Sequence, residues 1–206
     1  MSSYKTVKKE SITEVIEKKS RFIALTYPVT TEAEALSHLE AARKKYYDAT
    51  HVVFAYRLRN NQIQRFSDDG EPQGTAGVPV LEVLSKGEIT DTLSIVVRYF
   101  GGTLLGAGGL IRTYSKAAHE GVAESGIKTM AECVEFSITC PYHLLGKVEH
   151  ILMDQDCRKL NVEYADQITM QYYIEQSAFP KLEAELREAT NATLSATILN
   201  QSFYEL

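Results

Sequence analysis

Apolar and polar positions change rhythm along the chain, and each change marks an element. Tyr4–Val7 and Arg21–Val29 are rich in β-branched and aromatic residues, which predicts strands. Thr31-Glu32-Ala33-Glu34 reads as a capping box, with Thr31 as N-cap and Glu34 reaching back. The helix behind it is expected to place Leu36, Leu39, Ala42 and Tyr46 on one face. His51–Leu58 predicts a strand, and Asn60-Asn61 turns the chain into a short second one. Val80, Leu81, Val83 and Leu84 fit a short helix, with Pro79 in its first turn and Gly87 past its end. Thr92–Phe100 is too apolar for a sheet edge and predicts a central strand. Leu110, Tyr114, Ala117, Gly121 and Val122 then stripe a helix that stops at Gly126.

Beyond residue 130 the rhythm restarts. Val134–Thr139 predicts a strand, and Pro141 opens a helix with Leu144, Leu145, Val148, Ile151 and Leu152 inward. Leu160–Tyr164 and Ile168–Glu175 alternate as a strand pair. Phe179, Leu182, Leu186 and Ala189 stripe a second helix, and Thr193–Tyr204 closes with a strand. The order β-α-β-β-α-β is that of a ferredoxin-like unit. The reading is therefore an α+β chain with domains at 1–130 and 131–206 and a boundary within 127–133. There is no tandem repeat and no low-complexity segment.

Length and composition agree with two small domains: 206 residues, 44% hydrophobic and 24% charged. No apolar run approaches the roughly 20 residues of a membrane helix. The opening MSSYKTVKKESITEV lacks an apolar signal core, so a cytoplasmic protein without a membrane partner is expected. Cys133, Cys140 and Cys157 are odd in number and form no C-x-x-C pair, which argues against a disulfide framework or structural zinc site and predicts small buried apolar groups. Net charge is −5, but it is unevenly placed. Residues 1–130 hold 17 Lys/Arg against 15 Asp/Glu (+2), and residues 131–206 hold 5 against 12 (−7). The overall charge disfavours a strong nucleic-acid binder, whereas the division leaves the first half weakly basic.

Two segments depart from ordinary core patterning. The first is Ser67 to Gly77, with Asp68, Asp69 and Glu71 set among Gly70, Gly74 and Gly77 and with Thr75 as a helix cap. Its acids suit a hard cation such as Mg²⁺, a cationic partner, or simple capping of backbone amides in a turn. The second runs from Arg98 through Tyr99 and Phe100 to Arg112, with Gly101, Gly102, Gly106, Gly108 and Gly109 between a central strand and a helix. Such a loop bares N–H groups beside a helix N-terminus, which favours anions including phosphate. Arg98 and Arg112 suit phosphate or carboxylate, and Tyr99 and Phe100 offer faces for base stacking. The alternative is tight strand–helix packing, with both arginines paired internally to the acids.

Neither segment is a Walker A motif or a dinucleotide-binding turn. His38, His51, His119, His143 and His150 are scattered, without metal-ligand spacing. No G-x-S-x-G elbow is present. No catalytic residue, metal or cofactor is assigned.

The stretches DDGEPQGTAGVP (68–79) and VVRYFGGTLLGAGGLIRTYSKA (96–117), with SRFIA at 20–24, resemble the IMPACT/YigZ family, and the resemblance covers the whole chain. It implies an N-terminal domain like the second domain of ribosomal protein S5, a fold shared with RNase PH and small-metabolite kinases. It also implies a C-terminal domain like the last domain of elongation factor G. Eukaryotic members regulate translation by competing for an activator of an initiation-factor kinase. Leu104 stands where some members carry a lysine, which removes one phosphate contact. The resulting expectation is a non-enzymatic regulatory protein of translation, binding RNA, the ribosome or a protein partner through the glycine-rich groove. A phosphate-handling enzyme using Asp68, Asp69 and Glu71, and a pure protein-interaction module, are the alternatives.

Overall fold

The β-branched and aromatic runs are realised as strands, and the computed structural model describes residues 3–205 of this α+β chain. Residues 4–129 form one compact unit, and residues 130–205 belong to a second.

The first unit contains β1 (Ser3–Val7), β2 (Ser11–Glu17), β3 (Ser20–Pro28), α1 (Glu32–Lys45), β4 (His51–Leu58) and β5 (Ile63–Ser67). It continues with α2 (Gly77–Lys86), β6 (Thr92–Tyr99) and α3 (Ala107–Ser125). Its sheet has the order β2-β3-β6-β4-β5, with every neighbouring pair antiparallel. The apolar strand β6 lies in the middle, and Thr92 to Arg98 are all buried. One face packs Phe22, Ala24, Val53 and Val96 against Val80 of α2 and Leu110, Tyr114 and Ala117 of α3. The other packs Ile23, Leu25, Leu93 and Ile95 against Ala35, Leu39 and Ala42 of α1.

Local sequence accounts for most of these elements. Thr31 Oγ1 accepts from the Glu34 amide at 3.2 Å, and the Glu34 carboxylate accepts from the Thr30 amide at 2.7 Å. Leu39 and Ala42 of α1 face inward as expected, but Ala35, not Leu36, joins them, and Leu36 faces solvent. The i, i+4, i+7 spacing of Ala35, Leu39 and Ala42 leaves Leu36 about 100° round the helix. Strand β2 was not expected from the sequence. It is an edge strand whose Ile12 and Ile16 are exposed, so it carries no clean buried stripe. Thr75 does not cap α2: the helix begins one residue later, with Ala76 at the N-cap, and the Thr75 hydroxyl donates to the Pro72 carbonyl at 2.6 Å.

The second unit is built from β7 (Ile127–Cys140), α4 (Leu145–Asp154), β8 (Arg158–Tyr164), β9 (Ile168–Glu175), α5 (Phe179–Ala189) and β10 (Thr197–Glu205). Strand β7 begins at Ile127 and passes unbroken through the division, where a shorter strand from Val134 was expected. Strands β10, β7, β9 and β8 pair antiparallel in that order. Phe136, Ile138, Met170 and Ile174 of the sheet pack on Val148, Leu152, Leu182 and Leu186 of the two helices. Cys133 and Cys140 are buried, and burial pushes the Cys157 thiol up to about 12, so all three are poor nucleophiles. Among the described residues, no helix is long and apolar enough to cross a membrane.

Candidate functional site

Antiparallel register gathers the two singled-out segments at one end of the first unit's sheet. The start of β3 meets the end of β6 (Arg21 opposite Tyr99), and the start of β4 meets it from the other side (His51 opposite Arg98). The chain leaving β5 stays beside β4, where the Asp69 carboxylate accepts from the Val52 amide at 2.7 Å.

Each of the three acids in the turn is committed to a protein donor. Asp68 accepts from the amides of Gly74 (2.9 Å), Ala76 (3.1 Å) and Gly77 (2.8 Å), and so supplies the cap of α2. Asp69 lies 3.4 Å from the Arg43 guanidinium. Glu71 is drawn inward, where its Oε1 accepts from Arg98 Nη1 at 2.5 Å and from the Tyr114 hydroxyl at 2.8 Å. The side chains of this pair are only 6% and 3% exposed, so Arg98 is internally neutralised and is not a surface anion ligand. His51 completes the cluster. Its Nδ1 donates to the Asp69 carbonyl at 2.8 Å, because a carbonyl only accepts, and its Nε2 lies 3.8 Å from Glu71. Burial, and then the Glu71 charge, hold the Tyr114 phenol far above its ordinary range. With these commitments the acids are poorly placed to serve as cation ligands. Among the described residues no group of three or more His, Cys, Asp or Glu could hold a metal ion.

The glycine-rich loop performs a different task. Gly101 lies directly on the β2–β3 turn: a Cβ there would sit 2.0 Å from the Lys19 carbonyl carbon. Its amide donates to Ser20 Oγ, and the Phe100 amide donates to Thr50 Oγ1, both at 3.0 Å. Gly102 and Gly106 have φ of +81° and +72°. Gly108 and Gly109 lie in the first turn of α3, whose N-cap Gly106 brings no side-chain cap. Thr103 and Leu104 bulge outward. Beside them is an open depression lined by Glu17, Lys18, Leu105, Gly109, Arg112, Thr113 and Lys116. Arg112 is exposed and has no ion pair or hydrogen bond among the described residues. Tyr99 is occupied: its hydroxyl donates to Asp48 at 2.8 Å, which raises its pKa, and Arg21 covers its ring at 5.7 Å.

Apart from Tyr99 and Phe100, where β6 runs into the loop, the predicted site residues thus fall into two groups. Glu71 and Arg98 meet in a buried knot, with Asp68, Asp69, Gly70, Gly74 and Thr75 shaping the turn around it. Gly101, Gly102, Gly106, Gly108, Gly109 and Arg112 shape the loop and its depression, whose lining includes none of the three acids. Sequence reasoning missed His51 and Tyr114 in the knot, and Glu17, Lys18 and Lys116 in the depression. His51 carries no local signal, since only strand register sets it beside Arg98. Lys116 was within reach, lying one helical turn from Arg112.

Comparison with known proteins follows the same division of the chain. The Impact N-terminal domain model matches residues 18–122, and a domain of unknown function, DUF1949, matches residues 138–193. The IMPACT family member YvyE of Bacillus subtilis is 38% identical over 93% of this chain and 88% of its own length. The chain belongs to the IMPACT family. IMPACT family member YigZ of Escherichia coli is 29% identical over 89% of this chain and 92% of its own. The Protein IMPACT homolog of Dictyostelium discoideum is 42% identical over 45% of this chain and 28% of its own. A crystal structure of a hypothetical protein, 28% identical, superposes with a TM-score of 0.62 over 97% of this chain and 98% of the other.

Proposed function

We propose that this IMPACT-family chain is a non-enzymatic regulatory protein of translation that binds RNA, free or in the ribosome, on the first unit's loop-and-depression surface. The observation that carries the reading is the contrasting fate of the two arginines. Arg98 is buried on Glu71, while Arg112, without an ion pair among the described residues, stands in an open depression whose charged lining is otherwise Lys18, Lys116 (3.9 Å from Glu120) and one carboxylate, Glu17. An exposed guanidinium with two ammonium groups against one carboxylate leaves a net positive surface that suits phosphate. The second unit's strong negative charge points away from RNA and restricts the contact to the first unit. The fold supports the reading by analogy alone. Strand order β10-β7-β9-β8 with two helices fits a ferredoxin-like domain, and the helix-covered antiparallel sheet fits the S5 domain 2-like class. A second reading, a protein partner in the same place, is favoured by Leu104, which is 82% exposed on the loop.

Cosedimentation with ribosomes, before and after nuclease treatment and across a salt series, tests the proposal. Retention that falls with nuclease and with salt is expected. Retention indifferent to both would favour the protein partner, and no retention at low salt would remove the ribosome.

A further inference from the structure

Side chains at the end of β6 form a column running from the core to solvent. Tyr114 meets Phe22 edge-on, with centroids 5.1 Å apart and rings at 85°. The Arg98 guanidinium lies over Phe22 at 5.4 Å and over Phe100 at 5.7 Å, so it sits between two rings. Tyr114, Phe22 and Arg98 are buried, whereas Phe100 is 47% exposed. Glu71 fixes the guanidinium from the side. The backbone under the outer ring is pinned twice, by Thr50 at Phe100 and by Ser20 at Gly101.

We infer that Phe100 is a preorganised stacking platform for a nucleobase of single-stranded nucleic acid. This rests on the RNA reading above and adds the part of the ligand that is recognised. A ring already ordered by its own cation and backbone loses little freedom when a planar group settles on it. Every base has a π-face, so such a platform is tolerant of sequence. Arg112 and Lys116 of the depression, on the helix that follows the same loop, then meet the adjoining phosphates. Tyr99, tied to Asp48 and covered by Arg21, is not the platform.

The chain has no tryptophan, so F100W installs a single reporter at the proposed contact. The probes are oligouridine of about 12 nucleotides, near the span of one single-strand site, and an abasic polymer of equal length and charge. Oligouridine, but not the abasic polymer, is expected to quench F100W. F100L should bind oligouridine roughly tenfold more weakly, with unchanged melting temperature and abasic affinity, and F100W should restore binding. Equal affinity of the wild type for both polymers, untouched by F100L, would overturn the platform and leave the charge-based reading standing. Failure of both polymers to bind at low salt would overturn both readings. Capture of a protein from lysate that F100L abolishes, with oligouridine unbound, would make the ring a protein contact and refute the inference.

Discussion

Glu71 decides what Arg98 can do. A guanidinium at the end of a central strand, next to a glycine-rich loop, reads as an anion ligand until its partner is located. The trio of acids was legible in the sequence, and so was the prospect of internal pairing. The choice between them was not, because Arg98, Tyr114 and His51 reach Glu71 from three different elements. Removing one member of a buried ion pair strands the other, at a cost of about 3–5 kcal/mol. E71A should therefore lower unfolding free energy by about that amount in urea titration, with E71Q less severe because it keeps an acceptor oxygen. The tyrosines give a pH prediction of definite sign. Tyr114 is raised by burial and then by Glu71, and Tyr56 is pushed up to about 12 by burial and then by its hydrogen bond to Glu32. In the unfolded chain both ionise near about 10. The folded state holds these protons more tightly, so the stability they contribute is complete below about pH 10 and is lost as pH rises through the folded values. Urea midpoints should hold steady to about pH 9 and fall by pH 11. Y114F should fall less steeply over that interval.

Elements show where local chemistry suffices. The capping box of α1 and the apolar run of β6 could be read directly, because their partners lie within a few residues or in the run itself. The cap of α2 could not: its acceptor is Asp68, eight residues before Ala76 and beyond the glycines. Deleting that carboxylate should cost about 1–2 kcal/mol, measurable as a lower melting temperature for D68A, with D68N nearer the wild type. The loop glycines were legible as a group, although their separate duties depend on what lies opposite each. Gly101 is required by the backbone of Lys19, against which any Cβ would collide. Gly102, with φ of +81° and open space around it, is required only by its own dihedral. G102A should cost about 1–2 kcal/mol, and G101A distinctly more, because the β2–β3 turn must move to admit it. Equal melting temperatures for the two variants would contradict this division of labour.

At the scale of the whole molecule, periodicity and charge together revealed an α+β chain with a weakly basic first part and an acidic second. The proposed binding surface was only half visible. Arg112 and the glycines stood out, whereas Glu17 and Lys18 come from a hairpin whose first strand looked featureless. Folding places that hairpin beside α3 and sets two arginines that look equivalent in sequence in opposite environments, one buried on Glu71 and one exposed. The most direct test is therefore RNA affinity across a salt series together with melting temperature, measured on R98A and R112A. R112A should bind more weakly at low salt, with the log–log salt slope reduced by about one, and should melt like the wild type. R98A should melt well below the wild type, because Glu71 is left buried without its cation. Unchanged RNA affinity of R112A at every salt concentration, or an R98A variant as stable as the wild type, would contradict the account.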